Sequence, residues 1–443
     1  MKKIISKSLL LLITMTLLNI NVYAQDTDES LSKKEIKEVI EAVGKQLEDN
    51  YVFPEIGKKM ANQLKKNLKK GKYKEINNAS VFKDQLTKDL VDVSKDKHIR
   101  VIFDPKGIAD QKQAVTPEDE KKLMDEHINR RRMSNFGFNE VKILKGNIGY
   151  LDLRSFQEPS YAGDTAVAAM NLLSNSDALI IDLTQNGGGS PQMIQLISSY
   201  LFDDEPVHLN NFYWRPTDSH SQTWTLPHVA GKRYPDIPVY VLTSNRTFSA
   251  AEEFSYNLKN LKRATLVGET TGGGAHPGGT QVATDRFLIW VPSGRAINPI
   301  TNTNWEGTGV SPHIAVKQDM AFNTAYIKAL ENLAESNKSE SAQAIYKWIK
   351  EGLKATEQNL ELTELQLQSY VGNYGPRKVS FENGHLYYQR GEGSKVKMLP
   401  MGEHKFMMTD IPSFRIQFDY KNNQVVALIG NYDRGNTDRN KKD

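Results

Sequence analysis

Hydrophobic and polar positions change period along this chain. In residues 28–95, Leu31, Val39, Ile40, Val43 and Leu47 recur at helical spacing with Lys and Glu opposite. Tyr51-Val52-Phe53-Pro54 ends that helix, because the residue before proline disfavours the α conformation. A second helix begins near Glu55, carries Met60, Leu64 and Leu68, and closes at Gly71. Ser80 is placed to cap a third, with Phe82, Leu86, Leu90 and Val93 inward. Residues 98–103 alternate like a strand. Residues 104–136 are charged and poor in apolar side chains, and read as a long loop or surface helix and a candidate lid.

Further on, 141–144 and 148–153 predict a hairpin around Gly146, and 164–173 a helix. The continuous apolar run 178–183 predicts a buried central strand, followed by a helix at 193–200. The pattern repeats with a strand at 239–242, a helix from Ala250 and a strand at 264–268. Strands at 281–283 and 287–291 and a helical stretch at 320–353 follow. Alternating strands and helices predict an α/β core. Residues 355–443 differ: short strands separated by Asn383-Gly384, Gly391 and Asn422-Asn423 predict a small β domain, with a charged tail fraying from Asp433. The expected organisation is a helical domain at 25–95, a core at 96–353 with 104–136 as an insertion, and a β domain at 354–443.

Residues 1–24 stand apart. Lys2, Lys3 and Lys7 precede the apolar run 9–18, and Val22-Tyr23-Ala24 ends in small residues at alternate positions. This predicts a signal peptide cleaved before Gln25, and hence an exported protein, periplasmic or secreted. The run is too short to span a bilayer comfortably, so no stable membrane anchor is expected after cleavage. Removing the segment takes the formal charge from +4 to +1, and nothing in that balance calls for a nucleic-acid partner. The absence of cysteine excludes disulfides, thiolate metal sites and cysteine catalysis.

Two loops carry candidate chemistry. Ser249 falls where a strand turns into a helix, with Glu252 and Glu253 in the first helical turn. A serine there is most often an N-cap. The same position also presents a hydroxyl rigidly, beside free N–H groups. Gly187-Gly188-Gly189 follows a strand and opens a helix, so its N–H groups could converge on an anion. With no lysine beside it, an oxyanion fits better than a nucleotide phosphate. No Walker loop, dinucleotide fingerprint, His-Glu-x-x-His motif or EF-hand loop is present, and no metal or cofactor is expected. A serine nucleophile needs a base. His98, at the start of a strand, and His276, between glycines, are the two candidates. Glu306 in Trp305-Glu306-Gly307 is a candidate carboxylate to orient that base.

Four motifs in order carry a resemblance. They are Asp182-Leu183-Thr184-Gln185-Asn186-Gly187-Gly188-Gly189, Thr247-Phe248-Ser249-Ala250-Ala251-Glu252-Glu253, Gly268-Glu269-Thr270-Thr271-Gly272-Gly273-Gly274-Ala275-His276-Pro277, and Trp305-Glu306-Gly307-Thr308-Gly309-Val310. Over roughly residues 96–320 the chain resembles the S41 serine peptidases: the C-terminal processing peptidases, the tricorn core and the interphotoreceptor retinoid-binding protein repeats. The resemblance implies a ClpP/crotonase-like core and a peptide or protein substrate. The processing branch pairs its serine with a lysine in a Gly-Lys-Gly segment. Gly272-Gly273-Gly274-Ala275 has none. The tricorn-like branch uses serine, an upstream histidine and a downstream glutamate, which Ser249, His98 and Glu306 match in order. About 40 residues separate the early strands, too few for the PDZ domain of the processing branch.

The resulting expectation is an exported serine peptidase with Ser249, His98 and Glu306 catalytic. Gly188 and Ala250 N–H groups form the oxyanion hole, and Gly187, Gly189, Gly274 and His276 line the substrate. The alternative is a non-catalytic carrier of hydrophobic ligands on the same fold.

Overall fold

Alternate side chains of the central strands serve two different layers. In the strand Ala178–Asp182, Leu179 and Ile181 join one apolar cluster, and Ala178 and Ile180 another. Val239–Thr243 divides likewise, with Val239 and Val241 on one side and Tyr240 and Leu242 on the other. Strand side chains alternate with period two, so a continuous apolar run suits a sheet covered on both faces. The computed structural model describes residues 29–443 apart from 114, 115, 359 and 423. The predicted signal segment therefore lies outside the described residues.

The central sheet has six strands in the order Ile314–Ala315, Thr265–Gly268, Val239–Thr243, Ala178–Asp182, Ile148–Leu153, Phe138–Leu144. All neighbours pair parallel except the final hairpin. Helices Pro159–Leu173, Pro191–Ser199 and Ala250–Asn260 cover one face through Ala162, Met193 and Phe254. Gln318–Ser336 and Glu340–Gln358 cover the other through Ala321, Leu330 and Tyr346. The single helical stretch expected at 320–353 is thus two helices.

The three amino-terminal helices are Lys33–Asn50, Pro54–Lys69 and Ala79–Ser94. Asn78, not Ser80, caps the third: its side chain accepts from the Val81 N–H at 3.0 Å, and Ser80 already lies inside the helix. These helices close on a separate three-stranded sheet in the order Arg100–Phe103, Phe287–Pro292, Gly278–Val282. The strands expected near 281–283 and 287–291 thus belong to this layer and not to the central sheet. Their partner, Arg100–Phe103, is remote in sequence, and periodicity carries no information on partners. A further three-stranded sheet, Gly294–Ile297 with His208–Trp214 and Ser219–Trp224, was not read from the sequence: Ser219–Trp224 is polar and mostly exposed, and the other two carry no continuous apolar run.

Residues 104–136 are mainly two helices, Pro105–Gln113 and Pro117–Arg132, and the second buries no residue. The carboxy-terminal region forms an eight-stranded meander from Gly372–Tyr374 to Thr437–Lys441. The tail expected to fray is ordered. Thr437–Lys441 pairs with Gln424–Tyr432, and Asp438 forms an ion pair with the buried Arg377 of the second strand. The Asp443 N–H donates to Asn373 O at 3.1 Å, which brings the first and last strands together into a near-barrel. The tail's charges have partners far away in sequence, so charge density alone misjudged it. Among the described residues no helix is long and apolar enough to cross a membrane.

Candidate active site

The turn carrying Ser249 is tied to the neighbouring strand end. Ser244 Oγ donates to Thr184 O at 2.7 Å, Thr247 Oγ1 to Leu183 O at 2.8 Å, and the Phe248 N–H to Asn186 O at 3.0 Å. Ser249 then takes φ +56°, ψ −122° at the start of Ala250–Asn260. Capping serines occupy extended backbone. Ser32 (φ −84°, ψ 155°) and Ser190 (φ −86°, ψ 129°) do so here. Ser249 does not, and a non-glycine residue held in such a region costs about 1–3 kcal/mol. The surroundings hold it there. Glu252 Oε2 accepts the Ser249 N–H at 2.9 Å and the Gly274 N–H at 2.8 Å, while Oε1 accepts the Gly273 N–H at 2.6 Å and the Thr271 hydroxyl. Glu252 is fully buried. Burial raises its carboxyl, and these four donors offset part of that rise.

The glycine loop packs directly on this turn. A Cβ at Gly188 would stand 2.8 Å from Ser249 Cβ and 3.0 Å from Ala250 N, and its φ is +108°. Only glycine fits so close an approach at that φ. The Gly188 N–H, however, donates to Asn186 Oδ1 at 2.8 Å. Asn186 is fully buried, and its Nδ2 is anchored on Leu153 O at 2.9 Å. The expected oxyanion donor at Gly188 is therefore already engaged. The Ala250 N–H has no acceptor among the described residues. Gly189 serves packing, since a Cβ there would strike Phe156 O at 2.0 Å, whereas Gly187 faces open space.

His98 packs against the residue before Ser249. Its ring lies against Phe248, with centroids 4.6 Å apart, and a Cβ at Gly274 would come within 2.7 Å of its Cε1. Neither ring nitrogen has a hydrogen-bond partner, although the residue is buried. The carboxylate facing it is Asp96. Asp96 Oδ1 accepts the His98 backbone N–H at 2.9 Å and stands 3.6 Å from Nδ1. No ion pair joins Glu306 to His98. Glu306 Oε2 accepts the Ala275 N–H at 2.6 Å and lies 3.4 Å from His276 Nδ1. His276 is buried, and its Nδ1 is hydrogen-bonded to Asp96 Oδ2 at 3.0 Å. Asp96 thus joins both histidines, and Tyr51 Oη donates to it as well at 3.3 Å.

Charges follow this arrangement. Burial alone would raise the Asp96 carboxyl, but the hydrogen bond to His276, the nearby His98 and the charge of both imidazoles hold it well below the usual carboxylate range. Glu306 is shifted upward, by burial first and then by the negative charge of Asp96, with His276 and the Ala275 N–H opposing. Asp96, His276 and Glu306 offer ligand atoms within 4.8 Å of one another, so they are the residues that could hold a cation. Sequence reading gave Asp96 no role and Glu252 only that of an acid in the first helical turn. The signal for Asp96 was an acid two residues before a histidine at a strand entry, where a side-chain oxygen can accept the histidine N–H.

The family model "Peptidase family S41" matches residues 147–316. The model "N-terminal domain of Peptidase_S41 in eukaryotic IRBP" matches residues 31–135. Among solved structures, a candidate S41 protease from Bacteroides fragilis is 23% identical over 41% of this chain and 51% of its own, with a TM-score of 0.38. This chain thus spans about half the length of that relative. A candidate peptidase from Parabacteroides merdae is 19% identical, covering 67% of this chain and 96% of its own at a TM-score of 0.46. The photosystem II D1 C-terminal processing protease is 16% identical, covering 66% and 95% at a TM-score of 0.42. At these scores the overlays carry no weight for any residue role.

Proposed function

The chain belongs to peptidase family S41, and we propose that it is an exported serine peptidase with Ser249 as its nucleophile. The observation that carries this reading is the backbone of Ser249. It is held at φ +56° on a strand-to-helix turn, with the Gly188 loop packed against it and the His98 ring tilted against the neighbouring Phe248. A sharp strained turn of this kind is a backbone that presents a nucleophile.

In the proposed reaction His98 takes the Ser249 Oγ proton as Oγ attacks the scissile carbonyl, and then gives that proton to the leaving amine. Its unpartnered ring nitrogens leave it free for both transfers. Such contacts often tighten only when substrate binds. A carboxylate must hold the imidazole in the useful tautomer. Asp96, 3.6 Å from Nδ1, is better placed for this than Glu306. The Ala250 N–H at the helix start would meet the developing oxyanion, a contact worth about 3–4 kcal/mol when well placed. The cleft beside His276 is lined by Arg295, Lys95, Asn302 and Glu306 together with Tyr51, Phe53 and Ile56, a mixed surface that suits a peptide.

The test is cleavage of an unfolded protein by the chain from Gln25, beside Ser249→Ala and His98→Ala. Loss in both, with circular dichroism unchanged, is the expected result. Full activity in Ser249→Ala overturns the proposal.

A further inference from the structure

Asp96 Oδ2 and Glu306 Oε2 flank one nitrogen, His276 Nδ1, at 3.0 and 3.4 Å. The three residues offer ligand atoms within 4.8 Å of one another. Ligand atoms of a tetrahedral zinc, each about 2.0–2.1 Å from the metal, stand about 3.3 Å apart. The two short separations here bracket that figure. Asp96 and His276 are buried, and Glu306 Oε1 is a buried oxygen without a hydrogen-bond partner among the described residues. Outer contacts already hold each ligand in place, as metal ligands require. Asp96 accepts the His98 N–H at 2.9 Å and the Tyr51 hydroxyl at 3.3 Å. Glu306 accepts the Ala275 N–H at 2.6 Å. Phe53 packs edge-on against the His276 ring, with centroids 5.3 Å apart.

Two carboxylates share one imidazole here, and among the described residues no lysine or arginine forms an ion pair with either. Buried charge of one sign is costly until a counter-ion completes it. A divalent cation supplies that charge at a single point. One imidazole nitrogen with two closely spaced carboxylate oxygens suits zinc better than calcium or magnesium, which take more ligands and prefer oxygen alone. His276 and Glu306 both line an open cleft of about 530 Å³, so an ion can enter from solvent. We infer that Asp96, His276 and Glu306 form a zinc site that switches the peptidase off. The three side chains leave a fourth position for water. Binding places the imidazole proton on Nε2, so that Nδ1 offers its lone pair to the ion. It also draws the charge of Asp96 away from His98, whose Nδ1 stands 3.6 Å from Asp96 Oδ1. An acid bound to a cation stabilises an imidazolium less. Zinc binding stands on the three ligands alone, and the inhibition rests on the peptidase reading.

The experiment titrates zinc by calorimetry into the chain from Gln25 after EDTA treatment and dialysis, and repeats the titration with cobalt(II), read by its visible absorption. The expected result is one ion per chain with a Kd of about 1 μM or below. Glu306→Gln and His276→Gln should each weaken binding about tenfold or more. His220→Gln, on the exposed strand Ser219–Trp224, should leave it unchanged. Cleavage of an unfolded protein by wild type, at buffered free zinc, should fall about tenfold or more along the binding curve and return with EDTA. Glu306→Gln should need about tenfold more zinc for the same loss. No zinc binding, or folded Glu306→Gln and His276→Gln proteins that bind as tightly as wild type, would overturn the site. Zinc bound with cleavage undiminished or increased would overturn the switch. A chain that binds zinc through these residues and cleaves nothing even in EDTA keeps the site and removes the peptidase.

Discussion

Asp96 Oδ2 is hydrogen-bonded to His276 Nδ1 at 3.0 Å, in a place where Asp96 is only 1% exposed. The other oxygen of the same carboxylate faces His98. One buried acid therefore serves two imidazoles, while Glu306 reaches only the second. Asp96→Asn should lower kcat by about 10⁴-fold, the loss seen when the carboxylate of a catalytic triad is neutralised. Glu306→Gln should cost less than about tenfold. Steady-state kinetics on both variants decides between them, and the reverse order would return Glu306 to the role implied by the family resemblance. Because the Asp96 carboxyl is held low, its ionised form stabilises the fold above the ordinary carboxylate range. That contribution fades as pH falls through the depressed value. Urea unfolding of wild type and Asp96→Asn should therefore differ at pH 7 and converge in acid.

Gly188→Ala should lower stability and activity together. Its Cβ would press on Ser249 Cβ and Phe248 O at a φ that disfavours any side chain. A loss of about 1–3 kcal/mol in urea unfolding is expected, with turnover falling alongside. An inactive variant of wild-type stability would instead point to a purely catalytic role for this glycine.

Glu253 gives a pH dependence of opposite sign. It is almost completely buried, and burial pushes its carboxyl up to about 7, with Asn210 and Asn257 opposing. Above the unfolded value near 4.5 the folded state binds more protons, so stability falls as pH rises from there to about 7. Glu253→Gln should remove that fall and stabilise the protein at pH 8 by on the order of 3 kcal/mol. A gain that does not vary with pH would show that ionisation of Glu253 is not its cause.

The proposed chemistry uses no metal, so EDTA should leave peptide cleavage unchanged. The test has force because Asp96, His276 and Glu306 stand close enough to hold a cation. Activity lost in EDTA and restored by a divalent cation would replace the serine mechanism with one built on those three residues.

The sequence by itself determined the elements of the central sheet and of the amino-terminal helices, and which of their faces are buried. The run 178–183 had to be a strand covered on both sides because its apolar residues are continuous, and Leu31 to Val93 had to be helical because they recur on one face. It also placed Ser249 at a strand-to-helix turn, because a short continuous apolar run gives way there to helical spacing. Only the tertiary structure decided which carboxylate meets which histidine. Asp96 is two residues from His98 and 180 from His276, and pairs with the second through its other oxygen. Glu306, in the expected chain order, is bonded at Ala275 and lies beside His276. Likewise the Gly188 N–H looked free in sequence, because nothing in a string of glycines shows that a buried asparagine side chain will fold back onto it. Periodicity records which side of an element faces the core. Hydrogen bonds at a site depend on ångström distances between segments remote in the chain, and those are set only when the layers pack.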